Sequence, residues 1–220
     1  MTPLDLALLS VNSGVARVIG TRHGEPVLSA IAKSPIAVPI AFVGLGGIAG
    51  DVQADRSVHG GPDKALHAYS AHHWRWWRDE TGLDCAPGCF GENFTVGGAD
   101  ESEISIGDRF RWGGAILEVS QPRGPCANLD LHAGRSDVAQ TMTLSGRTGW
   151  YFRVLQEGDA PTRGATASCI FTSGGPSVRD AVFARHDRGL PLLLRQYVHD
   201  APALAESWRR AIAKTLVSNK

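Results

Sequence analysis

Residues 104–119 constrain the fold more than any other stretch. Ile104, Ile106, Phe110 and Trp112 alternate with other residues up to Gly113-Gly114, and Ala115, Leu117 and Val119 alternate beyond it. Period-two alternation marks a strand with one buried face, and a glycine pair supplies the positive φ of a two-residue hairpin turn. The register follows: Phe110 sits opposite Leu117, and on the other face Arg109 opposes Glu118 as a cross-strand ion pair.

The second strand runs straight into Gln121-Pro122-Arg123-Gly124-Pro125-Cys126. Two prolines bracket Arg123-Gly124, so the hairpin becomes a stiff arm that carries the Cys126 thiol. Arg123 favours thiolate, the form that binds soft metals or attacks electrophiles. On these residues alone, Cys126 reads equally as a functional thiolate or as a buried cysteine beside a structural arginine.

Elsewhere the pattern predicts short strands at 8–11, 15–19, 31–32 and 36–40, separated by Gly, Pro and Asn turns. Glycines crowd residues 43–63 into a loop of the kind that carries function. Pro62 then suits the first turn of a helix over 63–78, with Leu66, Tyr69, His73 and Trp76 at helical spacing and Gly82 as its stop. The tryptophans read as packing. A short helix near 136–142 and strands near 148–155 and 165–171 follow. Ser173-Gly174-Gly175-Pro176 looks like a linker, and beyond it the pattern is helical. Ser177 and Asp180 form a capping box ahead of Val178, Ala181 and Val182. Leu190, Leu193, Leu194 and Tyr197 form a second apolar stripe. Leu204, Trp208, Ala211 and Ile212 form a third, with Glu206 and Arg210 as an i,i+4 pair.

Charge excludes some partners. Lys plus Arg (22) equals Asp plus Glu (22), so no overall field favours nucleic acid or an anionic membrane. The longest apolar run, residues 37–50, is too short for a membrane span and is broken by proline and glycine. No export signal is visible, which places the protein in the cytoplasm. The 4 cysteines are too few for a disulfide scaffold. Cys85 and Cys89, near His72 and His73, lack the second ligand pair of a structural zinc site and read as bystander thiols.

Three further groups suit ligand contact, each with a plainer alternative. In Ser57-Val58-His59-Gly60-Gly61-Pro62-Asp63-Lys64, two glycines at a helix start let a ligand approach the backbone, and His59 and Lys64 add donors. The same segment also serves as a tight loop-to-helix turn. Gly91-Glu92-Asn93 offers bidentate bonds to a planar heterocycle, or an Asx-type turn. Lys33 points a cation at a phosphate, or at solvent. Gly44-x-Gly-Gly-x-x-Gly50 lacks a βαβ context, which rejects a dinucleotide fold.

Taken in order, Gly44-Leu45-Gly46-Gly47-Ile48-Ala49-Gly50-Asp51, His59-Gly60-Gly61-Pro62-Asp63-Lys64-Ala65-Leu66, Gly91-Glu92-Asn93, Ile106-Gly107-Asp108 and Gln121-Pro122-Arg123-Gly124-Pro125-Cys126 resemble the MOSC domain, named for the C-terminus of molybdenum-cofactor sulfurase. The chain is most similar to the small stand-alone bacterial YiiM-like branch, including its three-helix C-terminal appendage. The resemblance implies an α+β, β-rich fold: a β-barrel-like core with peripheral helices over residues 1–172, and the appendage over 177–220. It implies a molybdenum–pyranopterin cofactor and reduction of N-hydroxylated compounds (hydroxylaminopurines, amidoximes, hydroxylamines) to amines or amidines. Carried over, Cys126 is the molybdenum ligand and catalytic centre. Arg123, Lys64 and Lys33 pair with the cofactor phosphate, and His59, Gly60, Gly61, Glu92 and Asn93 contact phosphate or pterin. Where the family often has lysine two residues after the cysteine, this chain has Asn128. Asp137 stands where a proton-donating carboxylate or a helix cap would sit. With no cysteine set for an iron–sulfur cluster and no flavin motif, electrons must come from a separate reductase. The C-terminal helices serve as its docking face or as a homodimer contact. A carrier of molybdenum cofactor or persulfide sulfur is the alternative to an enzyme.

Overall fold

The hairpin stands in the computed structural model, which describes residues 4–53 and 60–217, with Phe110 paired to Leu117 and Arg109 to Glu118. The strands are β1 (Leu6–Ser13), β2 (Arg17–Arg22), β3 (Glu25–Ser29), β4 (Ser34–Pro35), β5 (Ile40–Gly44), β6 (Gly47–Ile48) and β7 (Leu66–Ser70). They continue as β8 (Phe94–Gly97), β9 (Arg109–Trp112), β10 (Ala115–Pro122), β11 (Trp150–Gln156), β12 (Gly158–Pro161) and β13 (Ala165–Phe171). Seven of them close a barrel in the order β1-β13-β9-β10-β11-β7-β8 and back to β1. Every pairing in the ring is antiparallel except β7 with β8. Closure leaves no open edge in the ring. Leu6, Phe94, Phe110, Trp112, Leu117, Val119 and Phe152 fill the interior, with Phe94 edge-on to Trp112 at a centroid distance of 4.7 Å.

Three expectations are overturned. The strands expected at 31–32 and 36–40 are displaced: pairing to β1 falls on Ser34–Pro35, and the next strand starts only at Ile40. The helix expected over 63–78 is a single 3₁₀ turn, Pro62–Lys64, followed by β7. Every residue of β7 is buried, so its sequence carries no alternation, and the helical spacing of Leu66, Tyr69 and His73 is incidental. Helix α1 (Trp74–Thr81) begins later and ends, as expected, on Gly82 at φ 71°. The stripe on Leu193 and Tyr197 faces outward, with Leu193 85% exposed. Arg195 takes the inner face instead, its guanidinium donating to the carbonyls of Leu190, Thr215 and Arg188.

The other helices are α2 (Ala127–Ala133), α3 (Val138–Ser145), α4 (Val178–His186), α5 (Leu192–His199) and α6 (Glu206–Val217). The Ser177/Asp180 capping box starts α4, and Glu206 pairs with Arg210 at 2.8 Å. Val178, Ala181, Val182, Leu204, Trp208 and Ile212 join the same buried cluster as the barrel strands. Arg153 of β11 reaches Asp63, Glu118 and the Ala203 carbonyl, tying barrel to helices. No helix among the described residues is long and apolar enough to cross a membrane.

Candidate functional site

The barrel brings three strands side by side where β10 ends. Tyr151 of β11 pairs with Gln121 of β10 on one side and with His67 of β7 on the other. Pro122 closes β10, and the chain leaves the sheet through Arg123 to reach Cys126. Cys126 is extended (φ −138°, ψ 164°), and its carbonyl accepts from Leu129 N–H at 2.9 Å as α2 begins. Its thiol is reduced and half-buried. It opens on a cleft of about 250 Å³ also lined by Arg123, Lys33, Lys64, His67 and Asn93.

Arg123 is the anomaly of this cleft. It is 5% exposed, its backbone is held by Gly149 (N–H to O, 3.1 Å), and among the described residues its guanidinium donates only to Met142 Sδ at 3.9 Å. No carboxylate pairs with it among the described residues. A buried charge without a counter-charge is costly, and an anion at Arg123 would offset that cost.

Lys33 is handled differently. Asp51, the last residue of the glycine-rich motif, forms a tight ion pair with it, and both side chains are buried. Burial holds the Lys33 ammonium below its ordinary range, against the attraction of Asp51. Asp51 also accepts from Gly14 N–H at 2.8 Å and from Asn93 Nδ2 at 2.8 Å. The Asn93 amide further binds Asn12 O (3.1 Å) and His67 N–H (3.1 Å). Lys33 and Asn93 therefore line the cleft with their polar atoms engaged in a protein network.

His67 is buried against Tyr151, with ring centroids 5.2 Å apart, and its Nε2 makes no hydrogen bond among the described residues. Burial first, and then the Arg123 charge, depress its pKa to about 3, against the nearby Gly91 and Thr148 carbonyls. The imidazole is therefore neutral at physiological pH. Burial pushes the Tyr151 hydroxyl up and the Lys64 ammonium down.

Of the remaining described candidates, none lines the cleft. Gly60 and Gly61 lead into the 3₁₀ turn that ends on Lys64. Glu92 lies behind the wall, fully buried, accepting from Gly88 N–H (2.7 Å), Phe90 N–H (3.0 Å) and Thr95 Oγ1 (2.8 Å); it shapes the loop and does not line the cleft. His59 lies outside the described residues. Asp137 is held bidentately by Arg135 at 2.9 and 2.7 Å, and it occupies the N-cap position of α3 without a side-chain cap hydrogen bond. Sequence reasoning passed over Asp51, His67, Tyr151 and Arg22. Asp51 closes the first glycine-rich motif and His67 directly follows the motif that ends on Leu66, where a polar residue within an apolar run was the available signal.

A closed β-barrel with peripheral helices, with a cysteine at the exit of one strand sharing a cleft with a buried arginine, defines the class. The MOSC-domain family model matches residues 55–163, and the chain belongs to that family. It is 37% identical over 205 residues to Protein YiiM of Escherichia coli (strain K12), which covers 90% of this chain and 88% of that protein. The crystal structure of YiiM from Geobacillus stearothermophilus superposes with a TM-score of 0.78 at 31% identity, covering 96% of this chain and 100% of that one. A longer protein named Reductase, from Gibberella moniliformis (strain M3125 / FGSC 7600), shares 33% identity over 173 residues, 77% of this chain and 30% of its own length.

Proposed function

We propose that the chain is a molybdenum-cofactor-dependent reductase of N-hydroxylated compounds, supplied with electrons by a separate reductase. One observation carries this reading: a reduced thiol and a buried guanidinium without a carboxylate share one cleft at a rigid strand end. That donor set fits a cofactor with a thiophilic metal at one end and a phosphate at the other. The neutral His67, with its orphaned Nε2, suits a heterocycle's polar edge. When bound, molybdenum–pyranopterin supplies two-electron oxygen-atom removal, so that R–NH–OH with two electrons and two protons gives R–NH2 and water.

The chain's own residues hold and shield. Cys126 would be the protein thiolate that holds the metal. Arg123 would pair with the phosphate, with Lys64 lining the same cleft. Lys33, Asp51 and Asn93 fix the wall rather than the ligand. The test is metal and pterin analysis of protein from a molybdenum-replete host, beside Cys126→Ala. We expect about one molybdenum per chain and its loss in the variant; absence from both overturns the reading. Sulfur found as persulfide on Cys126, without molybdenum, would instead support a carrier.

A further inference from the structure

The cations of the cleft differ in depth. Arg123 lies at the buried floor, Lys33 is buried and neutralised by Asp51, and Lys64 is half-buried. Arg22, at the end of β2, is exposed and lines the same cleft. A group that stays bound is held by deep contacts, whereas a ligand that enters and leaves each turnover meets the rim. We infer that Arg22 is a specificity-determining residue at this rim, binding an anionic or strongly accepting group on the exchanging substrate. This inference rests on the proposed function and extends it to the substrate's chemistry.

Arg22 is oriented by an uncharged partner, and Glu25, its cross-strand neighbour in the hairpin register, forms no salt bridge with it. Its Nη2 donates to Asn128 Oδ1 at 2.9 Å, and Asn128 stands two residues beyond Cys126 on α2. A carboxylate at 128 would cancel the charge, whereas an amide oxygen fixes one nitrogen and leaves the rest of the fork free. No carboxylate pairs with Arg22 among the described residues.

The hairpin that carries Arg22 is seated firmly. A Cβ on Gly20 would stand 2.7 Å from Leu131 Cδ1 of α2, so the β2 backbone lies directly on that helix. The partner strand β3 adds Val27 and Leu28 to the wall, and Leu28 is 58% exposed. Apolar surface beside an exposed guanidinium that makes no salt bridge among the described residues recognises an amphipathic ligand: an apolar ring bearing a carboxylate or similar acceptor at the end remote from its N–O bond.

The test is calorimetric titration of the purified full chain with benzamidoxime and 4-carboxybenzamidoxime, without reductant, so that neither turns over. We expect the carboxylate to improve affinity about tenfold, the size of one charge-assisted contact. Arg22→Ala and Arg22→Gln lose that preference and Arg22→Lys keeps part of it. Arg17→Ala, on the same hairpin outside the cleft, retains it. Equal affinity for the two ligands, binding of neither, or a preference surviving in Arg22→Ala overturns the inference. Molybdenum content of the same preparations reports separately on the proposed function. A carboxylate preference in molybdenum-free protein would uphold Arg22 and sink the reductase reading; molybdenum with no preference would do the reverse.

Discussion

Asp51 shows how far a single residue reaches here. It compensates Lys33, receives the Asn93 amide and fixes Gly14, so Asp51→Asn leaves a buried ammonium without its counter-charge. Removing one partner of a buried pair costs about 3–5 kcal/mol, and an apolar replacement of the other recovers much of it. Urea unfolding should show Asp51→Asn strongly destabilised and Lys33→Met/Asp51→Asn closer to the parent. His67 makes a prediction about pH. Its folded pKa, about 3, lies below the unfolded value of roughly 6.5, so the unfolded chain takes up the proton first. The stability tied to neutral His67 is fully present above pH ~6.5 and is lost as pH falls toward 3, by at most about 1.4 kcal/mol per unit. His67→Gln should flatten that part of a stability–pH curve measured by chemical denaturation; an unchanged slope would refute the assignment. At this scale the position of Arg123 and Cys126 at the exit of β10 was legible, because a strand running into two closely spaced prolines is a local pattern. The Lys33–Asp51 pair was not, since its members meet only through the fold.

Among the elements, the β9–β10 hairpin was readable down to its side-chain pairs because turn chemistry and alternation agree. β7 was hidden by the opposite condition: a strand buried on both faces has no alternation to show. Helix α5 misled for another reason, since its inner face is held by Arg195 through three carbonyls, which no apolar stripe reveals. The hairpin turns themselves are testable. Gly113 has φ 58°, and a Cβ there would stand 2.5 Å from Asp159 O and 2.7 Å from Ala160 Cα. Gly24, in the β2–β3 turn, has φ 85° but nothing within 4 Å. Gly24→Ala should therefore cost about 1 kcal/mol of backbone strain, and Gly113→Ala about 2–3 kcal/mol or more, because the clash adds to it. Thermal unfolding of the two variants checks the order.

Across the whole molecule, the three C-terminal helices share one buried cluster with the barrel, although the sequence sets them apart behind a glycine-rich connection. Trp208, 2% exposed, packs edge-on to His186 with centroids 6.2 Å apart and lies under Arg185 at 4.7 Å. Trp208→Ala should cost about 3–5 kcal/mol. Circular dichroism and tryptophan fluorescence should still report one coincident transition, and separate midpoints would contradict a shared core. The ring that β1 and β13 complete has a further consequence, for the nascent chain. Leu6 pairs with Ala167, so the first strand made waits for the last. At 5–20 residues per second that wait is about 10–30 s on the ribosome. Throughout it, the backbone of β1 that will face β13 stays unpaired, exposed to other nascent chains and to chaperones, and contacts so distant in sequence also slow refolding from denaturant.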